Sequence, residues 1–318
     1  MPTLTMPTRD YGLMMQMKED VVELNDDIQL EYPEFDNILV AARRMVRELA
    51  FDICEMPVTT YLCARAHRKP FTAIPVFITR NFHHAAIFHD PKSGIREPQD
   101  LEGRTVGVNR GYTVTTGVWA RGVLQNEYGV NLEKVRWAAT DDEHVAEFEL
   151  PPNANYLFRG RNMADLFKTG DIDAAAAVWS AVPPGAPPPG VEPLIPNAVE
   201  AGFASYRKTG IYPVNHTIVV RDDLLEEYPG LAVDLFDALT ESKEAYYGSL
   251  DRSGDLSEED ALTIQLEAGI AGDPFPYGVE PNRRALDALA QMAVDQHITP
   301  RRFEVEELFA EGTLDLIG

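Results

Sequence analysis

The chain is short of cysteine, of positive charge and of long apolar runs, and each shortage excludes something. Only Cys54 and Cys63 occur in 318 residues. Two thiols cannot build a disulfide framework, and no zinc-ligand spacing is present. Both fall in apolar stretches, which predicts buried, inert thiols. Lys and Arg number 28 against 51 Asp and Glu, a net charge of -23. Such a surface repels nucleic acid and anionic membranes, so neither is an expected partner. No run reaches membrane-spanning length. The start, MPTLTMPTRD, lacks the basic and apolar regions of a signal peptide, so a cytoplasmic location is expected. Nucleotide loops are also missing: neither G-x-G-x-x-G nor G-x-x-x-x-G-K-[ST] occurs.

What is present centres on 51–88, FDICEMPVTTYLCARAHRKPFTAIPVFITRNFHHAAIF. Its apolar runs at 51–56, 71–78 and 85–88 predict buried strands of a parallel or mixed sheet. Thr59 and Thr60 lie where the first strand gives way to a helix over 61–67. A Thr there can cap the helix, and the helix start offers backbone N–H groups to an anion. The second strand ends at Arg80, and His83-His84 opens the third. Side chains alternate along a strand, so only one of these two histidines is expected to reach a given ligand.

Helical spacing predicts a helix over 37–50. A strand at 105–108 leads into Arg110, Gly111, Tyr112, Thr113 and Thr115, a second turn expected to bind an anion at a helix start. Further strands are expected at 135–139, 172–179, 194–195 and 212–221, the last with His216 in its middle. A helix is expected at 163–169 and a helical tail from 222 onward. The acidic run 141–149 reads as a solvated loop or helix, and PPGAPPPG at 183–190 as a surface loop. His67, His89, His144 and His297 read as surface residues, Trp119 and Trp179 as core. The order of elements predicts an α/β protein of two lobes, 1–95 with 211–318 and 96–210. A ligand is expected in the cleft where the strand ends of both lobes converge.

Several segments carry a resemblance: FDICEM at 51–56, KPFTAIPVF at 69–77, GVWARGVLQNEYGV at 117–130, GIYPVNHTIVVR at 210–221 and PYGVEPNRRALDALAQMAVDQHITPRRFEVEELF at 276–309. From about residue 50 to 310 the chain resembles the 4,5-dihydroxyphthalate decarboxylase family. The resemblance implies a two-lobed, type II periplasmic-binding-protein-like fold with a central ligand cleft. It implies a carboxy-lyase of aromatic catabolism acting on a hydroxylated, phthalate-like carboxylic acid, and an assembly of identical subunits.

Decarboxylating such an acid requires a proton delivered to the ring carbon that bears the carboxylate, and a cation to hold a second carboxylate. No organic cofactor is obligatory. The expected catalytic residues are His84 and His216 as proton donors and Glu55, which would accept the phenol proton or pair with Arg80. The expected substrate contacts are Arg80, Thr59, Thr60, His83, Arg110, Tyr112, Thr113 and Thr115. A divalent metal is a second option, with His83, His84, His216 and Glu55 as ligands if they converge. Two rival functions stand beside this one. A solute-binding protein for a small aromatic carboxylate would need only Arg, Thr and helix termini, and would carry an export signal. An enzyme of the same fold would catalyse another lyase or isomerase reaction.

Overall fold

Among the described residues, strands alternating with helices give three sheets, of which the larger two are each the centre of one compact unit. The computed structural model describes residues 1–25, 27–176, 189–252, 254 and 256–318. The first unit comprises Met1–Arg80, Val214–Asp287 and Phe303–Gly318; the second comprises Asn81–Pro213 and Ala288–Arg302.

In the first unit Val214–Arg221 is the middle strand, antiparallel to both Ile53–Pro57 and Phe71–Arg80. Ile53–Pro57 is buried at every position. That explains why it reads as a continuous apolar run and not as an alternating one. The helix Ile38–Glu48 packs on this strand. Asn37 caps that helix by accepting from the Leu39 N–H, and Leu49 closes it in the left-handed region. Cys54 and Cys63 are buried thiols outside any disulfide, as expected. The N-terminal segment lies along the sheet. Thr3–Thr5 pairs with Gln29–Glu31, Thr5 bonds to Asp52, and Glu55 N donates to Pro7 O.

The second unit holds a six-stranded sheet in the order Glu192–Pro193, Ile87–His89, Ala174–Ala176, Thr105–Val108, Arg136–Ala139, Ala154–Asn155. The four strands from Ala174–Ala176 onward run parallel, and the first two are joined antiparallel. Phe88, Met163, Leu166 and Ile172 pack together as part of its core. Each such side chain contributes roughly 1.5–3 kcal/mol of burial free energy.

Several boundaries differ from expectation for local reasons. The helix after the first strand begins at Val58, with Pro57 before it, so Thr59 and Thr60 lie inside its first turn and do not cap it. His84–Ala86 is a turn of 3-10 helix, and the strand follows at Ile87–His89. The 172–179 strand is seen as Ala174–Ala176, and the short strand near 194 as Glu192–Pro193. Trp179 and most of the 183–190 segment lie outside the described residues. The helical tail is present as Leu231–Ser249, Glu258–Ile270 and Val279–Asp295. No helix among the described residues is long and apolar enough to cross a membrane.

Candidate active site

Sheet register brings Glu55 and His216 together. Ile218 stands opposite Glu55, so His216, two residues away on the middle strand, is its diagonal neighbour on the same face. The His216 Nδ1 and Glu55 Oε1 are 2.5 Å apart. Glu55 is fully buried and accepts three more hydrogen bonds: from Thr8 Oγ1 at 3.0 Å, the Arg9 N–H at 3.1 Å and the Tyr11 hydroxyl at 2.7 Å. The Arg9 guanidinium lies 3.6 Å from the carboxylate, with its side chain 48% exposed, and stands over the Tyr11 ring.

These contacts decide the charge. Burial alone raises a carboxyl pKa, but the His216 bond and charge, Arg9 and Tyr11 outweigh it and bring Glu55 down to about 2. Glu55 is therefore an anion and only accepts, so His216 carries its proton on Nδ1. Burial, together with the Glu55 charge, pushes the Tyr11 phenol well above its usual range. Tyr11 is thus a fixed donor. An anionic carboxylate bound to imidazole favours the protonated ring and fixes its orientation, which is what a proton donor at carbon needs.

The second anticipated anion site is already filled by the protein. Glu143 accepts from the Tyr112 N–H at 2.5 Å, the Thr113 N–H at 2.9 Å and Thr113 Oγ1 at 2.6 Å. The 141–149 run is therefore not a solvated face at this point: Glu143 and His144 are both buried. Tyr112 is buried as well, with the Arg121 guanidinium 3.9 Å from its ring centre and bonded to its carbonyl. Thr115 is buried in the first turn of Thr115–Asn126, whereas Arg110 is exposed with φ +71°. Gly111 is required here, because a Cβ would sit 2.7 Å from Glu143 Oε2. Gly111→Ala is expected to destabilise the protein by about 1–3 kcal/mol through overpacking. A urea midpoint unchanged from wild type would refute that.

The remaining anticipated residues are dispersed. Arg80 is buried and donates to Asn282 Oδ1 at 2.5 Å, and Asn282 is held in turn by Pro276 O and Gly278 O. Thr59 and Thr60 are wholly buried. His84 belongs to the second unit, where its Nε2 lies 2.9 Å from Glu127 Oε2. His83 and His84 line one cavity together, because the segment is a turn and not an alternating strand. Among the described residues no group of three or more metal-ligating side chains converges, and the four-residue metal set is not assembled. His67 and His89 are half-buried, while His297 is exposed and bonds to Glu133. Sequence reading missed Thr8, Arg9 and Tyr11, which lie 44–47 residues from Glu55 and carry no motif. It also missed Glu127, and it reads Glu143 as part of a solvated acidic face.

Comparison with known proteins agrees with the resemblance read in the sequence. The chain is 28% identical over 293 residues to 4,5-dihydroxyphthalate decarboxylase of Comamonas testosteroni, covering 86% of each. It is 33% identical over 107 residues to the Pseudomonas putida protein of the same name, covering 33% of this chain and 41% of that one. No family model matches. The periplasmic aliphatic sulphonate binding protein SsuA of Escherichia coli superposes with a TM-score of 0.56 at 11% identity, over 98% of this chain and 99% of that one. The fold is that of the periplasmic binding proteins. The desulfurization enzyme DSZB has it too, with a TM-score of 0.51 at 15% identity, over 98% and 96% of the two chains. A binding protein and an enzyme thus share this architecture, and the fold alone does not decide between them.

Proposed function

We propose that this chain is a carboxy-lyase acting on a hydroxylated, phthalate-like aromatic acid, with His216 and Glu55 as its proton-transfer pair. One observation carries the reading: a buried, anionic Glu55 bonded to His216, in a chain similar over most of its length to a 4,5-dihydroxyphthalate decarboxylase. In the reaction the imidazolium donates its Nε2 proton to the ring carbon that bears the carboxylate. A hydroxyl para to that carbon releases electron density into the ring as the C–H bond forms. The carbon–carboxylate bond then breaks, its electrons restore the aromatic ring, and CO2 leaves. One proton is consumed per turnover and returns to His216 from water.

Glu55 stabilises the imidazolium, and Tyr11 and Thr8 hold Glu55 in place. Arg9, the half-exposed cation of the cluster, is assigned to the substrate's second carboxylate. Arg80 is assigned a positioning role, since one of its nitrogens is committed to Asn282.

The test incubates purified protein with a panel of hydroxylated phthalates and benzoates, with and without chelator, and follows CO2 and product mass. One equivalent of CO2 per phthalate-like substrate is expected. Ligands that raise the melting temperature yet return unchanged across the panel would replace this reading with that of a binding protein.

A further inference from the structure

A cavity of about 450 Å³ lies wholly within the second unit, whereas Glu55 and His216 belong to the first. Its volume is that of a small-molecule site. One wall is aromatic: His83 and Trp119 lie parallel, with ring planes 4° apart and centroids 6.3 Å apart, and Phe82 adjoins them. Val123 and Met292 extend the apolar lining. The polar part is small and ordered. His84, 3% exposed, is bonded through Nε2 to Glu127, and Glu127 is held from its other oxygen by Ser205 at 2.9 Å. Burial pushes the Glu127 carboxyl up, but the bonds from His84 and Ser205 and the charges of His84 and Lys208 leave it below its usual range. It is therefore an anion that accepts the Nε2 proton of His84.

That fixes the other ring nitrogen. His84 Nδ1 is buried, lies on the cavity-lining residue and makes no hydrogen bond among the described residues. With Nε2 as the donor to Glu127, Nδ1 is the ring nitrogen left for a ligand, and a hydroxyl satisfies it in either protonation state, donating to its lone pair or accepting from its N–H. A flat ring fits against the aromatic wall of Trp119 and Phe82. Lys208, an exposed lining residue, supplies a cation for an acidic substituent.

We propose that this cavity is a ligand site for a hydroxylated aromatic acid, its ring against Trp119 and Phe82, its hydroxyl hydrogen-bonded to His84 Nδ1 and its carboxylate toward Lys208. It is separate from the Glu55–His216 pair, and the inference does not depend on the carboxy-lyase reading.

The full chain labelled with 5-fluorotryptophan tests it by 19F NMR, with the Trp119 resonance assigned from Trp119→Phe. The probe is 3,4-dihydroxybenzoate, and benzoate is the control that lacks hydroxyls. The expected result is a saturable shift of the Trp119 resonance by the probe, with benzoate at least about tenfold weaker, the size of discrimination that one unmatched buried polar atom produces. Ala204 is exposed and lines the cavity. Ala204→Trp fills the space without disturbing the core, and should remove the shift while leaving CO2 release unchanged. A Trp119 resonance unmoved at millimolar probe overturns the proposal. So does an equal response to benzoate, or a shift that persists in Ala204→Trp.

Discussion

Replacing His216 with alanine is expected to lower kcat for CO2 release by about two to four orders of magnitude, the usual contribution of a positioned general acid. KM should change little, because in the proposed reaction the ring acts on the reacting carbon and Arg9 is assigned to the substrate's second carboxylate. Deletion also leaves the buried Glu55 carboxylate short of one partner, so part of the loss could be structural. His216→Asn separates the two effects. Its side-chain amide can still donate to Glu55, but it has no proton to give at neutral pH. Loss of turnover in His216→Asn with an unfolding midpoint near wild type would assign the chemistry to the imidazole. Partial rescue of His216→Ala by added imidazole would do the same. Wild-type turnover in His216→Asn would remove the proton donor from the scheme.

The residues that the sequence places well are those whose role is local. The helix Ile38–Glu48 follows from apolar spacing, and the short helix Met163–Thr169 is likewise found where it is expected. The buried strand Ile53–Pro57 follows from an uninterrupted apolar run, and Glu55 stands out there as the one charge. His216 stands out in the same way within Val214–Arg221. That the two meet depends on strand register, which no single strand reveals. Thr8, Arg9 and Tyr11 reach Glu55 only because the N-terminal segment lies along the sheet. The anticipated anion site at Tyr112–Thr113 shows the opposite limit. Its donors are arranged as expected, but their ligand is Glu143, a carboxylate from 30 residues on that looks solvated in sequence. A helix start signals an appetite for negative charge and does not say whether the chain itself satisfies it.

The second large effect is at Glu55, and it separates structure from chemistry by pH. The carboxylate accepts from Thr8, Arg9, Tyr11 and His216 with no exposure to solvent. Glu55→Gln places an amide NH2 among these donors and removes the charge that His216 faces. Breaking a buried, hydrogen-bonded pair in this way costs about 3–5 kcal/mol. The pH dependence follows from the depressed value of about 2 against an ordinary 4.5. A carboxyl whose folded pKa lies below its unfolded one stabilises the fold fully above the unfolded value. That contribution is lost as pH falls through the folded value. At about 1.4 kcal/mol per unit it amounts to about 3 kcal/mol. Urea unfolding of wild type and Glu55→Gln should therefore show a constant gap between about pH 6 and 5 that narrows by about that amount between pH 4.5 and 2. This window lies below the titration of histidine in the unfolded chain, so His216 contributes little to the change there. A gap that instead widens as pH falls from 6 to 5 and stays flat below 4.5 would mean that Glu55 is not ionised in the folded protein. His216 would then have no anion to stabilise its protonated form, and the proton-transfer pair would fail on thermodynamic grounds before any rate was measured.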